Sequence, residues 1–234
     1  MKKSVIITGG TCGYGLAAAK AFKQAGYTVL ITARTHEKLL SAQKESDADY
    51  VFRQDVKDYA DWHGLLDYAK ARIGTPDVLV NNAGGAVSVL PVERQSKTVI
   101  DEILALNLAS VIYAAQVFSA DMKQRGSGTI INVSSVCAKH AWPDWSVYAA
   151  AKAGVLSFTK GLQTELQPYG VRACCVLPAS ASTGFQSAAK IGATADSLQT
   201  DDIAKTILFA AELPPSAILE EVTVWGMSQM VQPL

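Results

Sequence analysis

Tyr148 and Lys152 are the residues whose types and spacing first suggest chemistry in this sequence. Residues four apart on a helix lie on one face, so both side chains can point into the same cleft. A tyrosine has a reference pKa of about 10, and a nearby ammonium favours its phenolate form. We expect the pair to act as one acid/base unit on a substrate oxygen. A packed tyrosine beside an exposed lysine would show the same spacing, so this interpretation needs support from other residues.

Polar residues upstream of Tyr148 could polarise a carbonyl oxygen. Ser135 lies at the end of a predicted strand, where its hydroxyl can hydrogen-bond an oxygen whose negative charge grows during reduction. The neighbouring Ser134 is the alternative. Asn107, within a long uncharged stretch, is a further candidate, and it needs a hydrogen-bond partner if it is buried.

Glycines are concentrated in the segment TGGTCGYG at residues 8–15, directly after the apolar residues Val5–Ile7. The backbone N–H groups in the first turn of a following helix have no partners within that helix. A pyrophosphate can accept hydrogen bonds from them when no Cβ blocks its approach, and the helix dipole favours its charge. A tight turn alone would also use glycines, but the position between a first strand and a helix indicates a dinucleotide site.

The candidate residues must be positioned by strands and helices, and these alternate along the chain. Apolar, β-branched runs predict strands at residues 4–8, 27–32, 50–53, 77–80, 129–134, 171–177 and 222–225. Helical patterns cover residues 14–25, 36–45, 58–72, 97–125, 148–168 and 200–211. Such alternation predicts an α/β fold, a Rossmann-type doubly wound parallel sheet of about seven strands in a three-layer α/β/α sandwich. We expect a single domain over 1–234, with a substrate loop at about 178–199 over the ligand site.

The charge balance argues against nucleic acid or an anionic membrane surface as a partner. Lysine and arginine number 21, as do aspartate and glutamate, so no overall field favours either. Only Val5–Ile7 follow the first lysines before polar residues begin, too few for a signal peptide, so we expect a cytoplasmic protein. The uncharged stretch 103–120 contains Asn107 and Gln116, which favours a helix buried against protein over a membrane span. No cluster of cysteine, histidine or carboxylate residues in the sequence suggests a metal site.

Four motifs in this order resemble those of the classical short-chain dehydrogenase/reductases. The pattern TGxxxGxG at residues 8–15 is followed by NNAG at residues 81–84, by INVSS at residues 131–135 and by YxxxK at residues 148–152. The resemblance extends from about Lys3 to Trp225, which is nearly the whole chain.

The resemblance implies a role for each candidate catalytic residue. Ser135, rather than Ser134, would hydrogen-bond the substrate oxygen, and Tyr148 would exchange the proton with it. Lys152 would also hold the ribose hydroxyls of a nicotinamide dinucleotide. Asn107 matches the fourth catalytic position of the family, where an asparagine interrupts the helix and supports a water linked to the lysine.

Residues after the second and third predicted strands indicate the cofactor. Ala33 occupies the position at which family members that prefer NAD carry aspartate, and Arg34 follows it. A guanidinium suits a 2′-phosphate, so we expect NADP(H). Asp55 and Val56 resemble the adenine contact of the family. The predicted cofactor-binding residues are Gly9, Thr11, Cys12, Gly13, Tyr14, Gly15, Arg34, Thr35, Asp55, Val56, Asn82, Ala83, Gly84, Tyr148, Lys152, Pro178 and Thr183.

One segment departs from the family pattern. After the sixth strand the family usually has PGxxxT, whereas this chain has Pro178 followed by Ala179, with Thr183 in place for the nicotinamide carboxamide. If that backbone position requires a positive φ, alanine is strained there.

Two tryptophans lie between the serine and the tyrosine, in a stretch that borders the substrate in this family. Trp142 and Trp145 could form an apolar wall for an aromatic or alicyclic substrate, or pack on a neighbouring loop or subunit. The predicted substrate-binding residues are Ser135, Trp142, Trp145, Tyr148 and Phe185.

The favoured function is an NADP(H)-dependent oxidoreductase that interconverts a ketone or aldehyde and the corresponding alcohol. A dinucleotide-binding redox sensor or scaffold without turnover is one alternative, and a reductase of an imine or a conjugated double bond is another. Helices over 97–125 and 148–167 carry apolar residues on more than one face, which suggests a subunit contact. The family pairs these helices, so we expect a homodimer or homotetramer.

Overall fold

Seven parallel strands form one sheet at the centre of the molecule. The structure, a computed structural model, describes residues 2–140, 142–180, 198–227 and 229. The strands are β1 (Ser4–Thr8), β2 (Thr28–Ala33), β3 (Tyr50–Arg53), β4 (Val78–Asn81), β5 (Gly128–Val133), β6 (Val171–Pro178) and β7 (Glu221–Val224). Their order is β3-β2-β1-β4-β5-β6-β7. The connections therefore reverse direction between β1 and β4, which is where open α/β sheets bind ligands.

Helices cover both faces of the sheet. They are α1 (Gly13–Gln24), α2 (His36–Ser46), α3 (Tyr59–Ile73), α4 (Lys97–Leu104), α5 (Ser110–Arg125), α6 (Ser146–Leu166) and α7 (Thr200–Glu212). Successive strand residues point to opposite faces. Val5 and Ile7 therefore pack with α1, α2 and α7, whereas Ile6 packs with α3, α5 and α6. This arrangement confirms the predicted three-layer α/β/α fold.

The long helix predicted over 97–125 is continuous but irregular. A π-helical turn at Ala105–Ala109 separates α4 from α5, which is the interruption that the resemblance implied at Asn107. By length and composition alone this run could cross a membrane, and 44% of its most apolar window is buried. Phe118 and Met122 are fully buried against the sheet, as expected for a core helix, while Ile112 is exposed on another face.

The turn between β1 and α1 packs closely against the end of β4. The Asn82 side chain donates to the Thr8 carbonyl at 2.9 Å, and its backbone N–H donates to the Thr8 hydroxyl at 3.1 Å. A Cβ on Gly15 would overlap the Gly9 carbonyl oxygen and lie 2.5 Å from the Asn82 amide nitrogen. Glycine at position 15 is thus required by a close approach of two backbone segments.

Replacing Gly15 should disturb this packing. Gly15→Ala is expected to lower the free energy of unfolding by about 2 kcal/mol, because the added methyl group forces the turn away from β4. Urea unfolding without added dinucleotide measures the change. Gly161→Ala is the matched control, since that helical glycine has nothing within 4 Å of an added Cβ and should gain up to about 1 kcal/mol. Equal stability of the two variants contradicts the packing argument.

Candidate active site

A cleft of about 1020 Å³ opens at the carboxyl ends of the central strands. Ligand sites usually enclose about 300–1,000 Å³, so this cleft has room for an extended ligand and a second small molecule. The predicted site residues that line it are Gly9, Thr11, Cys12, Gly13, Tyr14, Arg34, Thr35, Val56, Asn82, Ala83, Gly84, Ser135, Trp142, Trp145, Tyr148, Lys152 and Pro178. The cleft therefore brings together residues that are far apart in the sequence.

Three of the described predicted site residues are not part of this lining. Gly15 lies inside the first turn, and Asn107 is fully buried behind the lining. Asp55 lies beside the cleft, where its carboxylate accepts the Lys57 backbone N–H at 3.0 Å, while the adjacent Val56 lines it. Thr183 and Phe185 lie outside the described residues, as does most of the predicted substrate loop at 178–199.

Ser135 and Tyr148 both line the cleft, and the Ser135 hydroxyl lies close enough to the phenol to favour a lower pKa of Tyr148. Ser135 follows the end of β5, and its hydroxyl oxygen accepts the Cys137 backbone N–H at 3.1 Å. Tyr148 comes from the first turn of α6 and is 7% exposed. The Ser134 hydroxyl instead donates to the Lys152 carbonyl at 2.8 Å, so it stabilises the backbone, as expected. The serine selected by the resemblance is thus the one whose hydroxyl meets the phenol.

Lys152 is 4% exposed, and its ammonium donates to the Val133 carbonyl at 3.0 Å. Burial lowers the pKa of this lysine to about 8. Its Nζ lies 5.7 Å from the centre of the Tyr148 ring. The two side chains therefore share one side of α6, as their spacing predicted.

The expected lowering of the tyrosine pKa by the ammonium is wrong. Burial raises the pKa of the Tyr148 phenol above its usual value, and the nearby Ser135 hydroxyl only partly opposes this effect. The reason is that removing water from a phenolate destabilises its charge more than the neighbouring groups stabilise it. The phenol is consequently protonated at neutral pH.

Asn107 connects the π-helical turn to the loop after β4. Its amide nitrogen donates to the Gly85 carbonyl at 2.9 Å and to the Ile103 carbonyl at 3.0 Å, and its oxygen accepts the Gly85 N–H at 3.0 Å. A Cβ on Gly84 would lie 2.9 Å from that oxygen and 3.2 Å from the Lys152 ammonium. The asparagine side chain therefore holds this loop close to the lysine, and its role toward a water stays a prediction.

The glycine turn fits a dinucleotide phosphate. Gly9 and Gly13 have positive φ values of 67° and 54°, which orient the turn without side chains in the way of a ligand. Cys12 precedes α1 without capping it through its side chain, so the N–H groups of the first helical turn can serve a bound anion.

Two cations line the cleft beyond the end of β2. Arg34 and Lys38 are both exposed there, and neither forms an ion pair with any carboxylate in the described part of the chain. Ala33 carries no charge that would repel a phosphate. These residues fit a 2′-phosphate group and provide no carboxylate for a free 2′-hydroxyl at position 33.

Ala179 is not strained. Among the described residues other than glycine, only Asp47 and Asp144 have positive φ, so the condition under which alanine would be strained is not met. The Ala179 N–H donates to the Val224 carbonyl at 2.9 Å, which continues the pairing of β6 with β7 by one residue. An extended strand accommodates alanine readily, and glycine is not needed here.

Residues 3–193 match the model of the short chain dehydrogenase family. The chain belongs to this family of oxidoreductases. Sulfoacetaldehyde reductase 2 from Chromohalobacter salexigens is 30% identical, over 98% of this chain and 96% of its own length. Two solved structures are also similar. Serine dehydrogenase from Escherichia coli is 25% identical with a TM-score of 0.87, covering 97% of this chain and 100% of that one. A metagenomic short-chain oxidoreductase in complex with NADP is 26% identical with a TM-score of 0.85, covering 97% of this chain and 98% of that one.

Three features of this short-chain dehydrogenase were missed by sequence reasoning. Lys38 lies in the first turn of α2, four residues after Arg34, and its charge so near the end of β2 could have indicated it. The Tyr14 hydroxyl donates to the Ala179 carbonyl at 3.3 Å, and no local pattern indicates a contact between residues so far apart in the chain. Trp225 lines the cleft because it directly follows β7, and the rule that places ligands at strand ends could have identified it.

The buried lysine should leave a pH signature on the stability of this short-chain dehydrogenase. The pKa of Lys152 is about 8 in the folded chain against the usual 10.5. Between these values the unfolded chain binds a proton that the folded chain has released, so raising the pH stabilises the fold. The free energy of unfolding of the wild type should therefore rise relative to that of Lys152→Met from pH 8 to pH 10, as measured by urea titration.

The wild type must be compared with Lys152→Met because other groups make the free energy of unfolding fall as the pH rises. Burial raises the pKa of Tyr148 and brings that of Cys175 to about 11, so the folded chain retains protons that the unfolded chain loses as the pH rises. Lys205→Met, at an exposed position on α7, is the control. If the difference between wild type and Lys152→Met stays constant over this interval, the lysine pKa is not lowered.

Proposed function

We propose that this chain is an NADP(H)-dependent oxidoreductase that interconverts a ketone or aldehyde and the corresponding alcohol. The observation that carries the proposal is that the Ser135 and Tyr148 side chains lie together inside a cleft whose other end fits a dinucleotide. A carbonyl oxygen between their two hydroxyls receives hydrogen bonds that strengthen as its negative charge develops.

Tyr148 can supply the proton that a reduction needs. Like a free tyrosine, it is protonated at neutral pH, so it can donate to the substrate oxygen as a general acid, while the Ser135 hydroxyl holds that oxygen in place. The chemistry that a bound reduced nicotinamide supplies is a hydride for the carbonyl carbon, which becomes reduced as the dinucleotide becomes oxidised. The oxygen gains the phenolic proton to give an alcohol, and the phenolate regains a proton from solvent.

Lys152 and Asn107 support the acid without exchanging its proton directly. The buried ammonium lies 5.7 Å from the centre of the Tyr148 ring, where its charge would favour the phenolate that forms when the proton leaves, against the larger opposing effect of burial. It also lies against the loop at Gly84 that Asn107 holds, where the resemblance assigns it to the ribose hydroxyls. Loss of the asparagine contact would therefore move the lysine and the loop together.

The choice of NADP(H) is supported by Arg34 and Lys38. Both line the cleft beyond β2, where the 2′-phosphate of NADP(H) would add two negative charges that these cations can neutralise. The similar metagenomic oxidoreductase was crystallised with NADP. Sulfoacetaldehyde reductase 2, as its name states, reduces an aldehyde, which supports a carbonyl substrate.

We also propose a cytoplasmic homodimer or homotetramer. Leu104 and Ile112 are exposed by 37% each on the helical run 97–125, on a surface that a second subunit would cover. The balanced charge supports neither a nucleic acid nor a membrane partner.

Removing the Tyr148 hydroxyl tests the proposed acid. Tyr148→Phe should reduce NADPH oxidation with a reactive aldehyde by a factor of roughly 10²–10⁴, while NADPH binding, followed by its fluorescence, is retained. Tyr169→Phe, which changes an exposed tyrosine outside the cleft, should keep the wild-type rate. Tight NADPH binding by the wild type with no turnover of any aldehyde would favour a sensor or scaffold instead.

Arg34→Ala tests the cofactor assignment. Loss of a charge-assisted contact to the 2′-phosphate should weaken NADPH binding about tenfold or more and leave NADH binding nearly unchanged, as measured by titration calorimetry. The control is Arg72→Ala, because Arg72 stacks on Tyr68 and does not line the cleft. Equal weakening of both dinucleotides by Arg34→Ala would refute recognition of the 2′-phosphate.

A further inference from the structure

Three indole rings enclose the end of the cleft that lies beside Tyr148. Trp142 and Trp145 lie in the loop between β5 and α6, and Trp225 directly follows β7. The Trp145 ring centre lies 5.5 Å from that of Tyr148, at an interplanar angle of 74°. The aromatic surface therefore begins directly at the proposed acid. We call these three tryptophans the indole wall.

The sheet brings Trp225 into this position. Val224 pairs with Pro178 in the parallel register of β6 and β7, so both strands end at the edge where the cleft opens. The Gly226 N–H donates to the Gln229 side chain at 2.9 Å, and that side chain also donates to the Ser180 carbonyl. These bonds fix the turn after Trp225 to the end of β6.

His140 links the two parts of the indole wall. Its ring centre lies 5.4 Å from that of Trp225, with the rings nearly perpendicular, and 6.0 Å from that of Trp142. The imidazole itself does not line the cleft. Aromatic rings at these distances attract one another. The histidine thus positions indoles from two separate loops against one space.

The charges of the described cleft lining lie mostly at its other end. Arg34, Lys38 and Glu102 line the part beyond β2 and β3. Near the indole wall, Lys152 is the one ammonium among the described lining residues, and it is already bound to the Val133 carbonyl. An anionic group on a substrate would have to give up its hydration here for aromatic surface, which is costly.

We propose that the indole wall selects carbonyl substrates, or the matching alcohols, whose non-reacting part is a flat, uncharged apolar ring, and that Trp225 is a specificity-determining residue. This inference rests on the proposed function and narrows its substrate class. A ring can pack against the indole faces while its carbonyl reaches Ser135 and Tyr148. A carboxylate or sulfonate on the same scaffold has no free cation to meet among the described residues near this wall.

Matched aldehydes test the selection by shape and by charge. With NADPH as reductant, kcat/KM is measured for methyl 4-formylbenzoate, for 4-carboxybenzaldehyde and for propanal. The neutral aromatic ester should exceed both others by about tenfold or more. A preference for 4-carboxybenzaldehyde or for propanal overturns the inference, although turnover of either still supports the proposed function.

Substitution of Trp225 tests the residue itself. Trp225→Ala should lower the ratio of kcat/KM for the aromatic ester to that for propanal by about tenfold, and Trp225→Phe should restore most of that ratio. Tyr169→Ala, an exposed aromatic position outside the cleft, should keep the wild-type ratio. An unchanged ratio in a folded Trp225→Ala protein, judged by its thermal unfolding, overturns the role of Trp225.

A binding measurement separates this inference from the proposed function. If no aldehyde is reduced, the proposed function fails, and binding of methyl 4-(hydroxymethyl)benzoate is followed by tryptophan fluorescence in the presence of NADP. Binding that weakens in Trp225→Ala, with 4-(hydroxymethyl)benzoate failing to bind the wild type, would still support recognition of a neutral ring. Equal binding of the ester and the acid would contradict it.

Discussion

The parallel pairing of β1 with β4 determines where the cleft lies. It brings the ends of two strands, distant in sequence, close enough for Asn82 to bond to Thr8. That contact holds the glycine turn after β1 against the loop at Gly84 after β4. The two segments lie on either side of the point where the strand order reverses. The order of β5 and β6 beyond β4 then places Ser135 and Pro178 along the same edge. A change of strand order would disperse these residues, whatever their identities.

Burial governs the chemistry of this edge more strongly than charge does. Tyr148 and Lys152 both lose water, and each consequently favours its uncharged form relative to solution. The pair thus combines a firmly protonated phenol with an amine whose pKa is near physiological pH. The phenol is therefore a weaker acid than a free tyrosine, and a carbonyl oxygen takes its proton only as that oxygen gains negative charge during reduction. A ligand that changed the local polarity would shift both groups at once, because they occupy one continuous buried region.

Sequence reasoning succeeded where local pattern determines structure. Alternating apolar runs identified all seven strands, although four of them, β2, β4, β5 and β7, are displaced by one residue. Helix α6 was predicted to begin at Tyr148 but begins at Ser146. The motifs also identified the serine and tyrosine that meet in the cleft. It failed for contacts that join distant segments, such as Tyr14 with Ala179. Whether position 179 requires a positive φ was left open by the sequence, and it does not, because pairing between β6 and β7 continues through Ala179. The lowered phenol pKa was wrong because desolvation depends on the packed surroundings, which spacing along a helix does not describe.

The π-helical turn at Ala105–Ala109 lets one continuous helix both line the cleft and pack in the core. A π turn contains one residue more than an α turn, so it rotates the flanking segments relative to each other by about 100°. Leu106 can therefore reach the cleft while Phe118 remains fixed in the core. Asn107 bonds to the Ile103 carbonyl inside this same turn, which compensates for the irregular backbone. Deleting a single residue there would restore a regular helix but turn its cleft-facing side toward another surface, so the length of this segment is constrained as tightly as its composition.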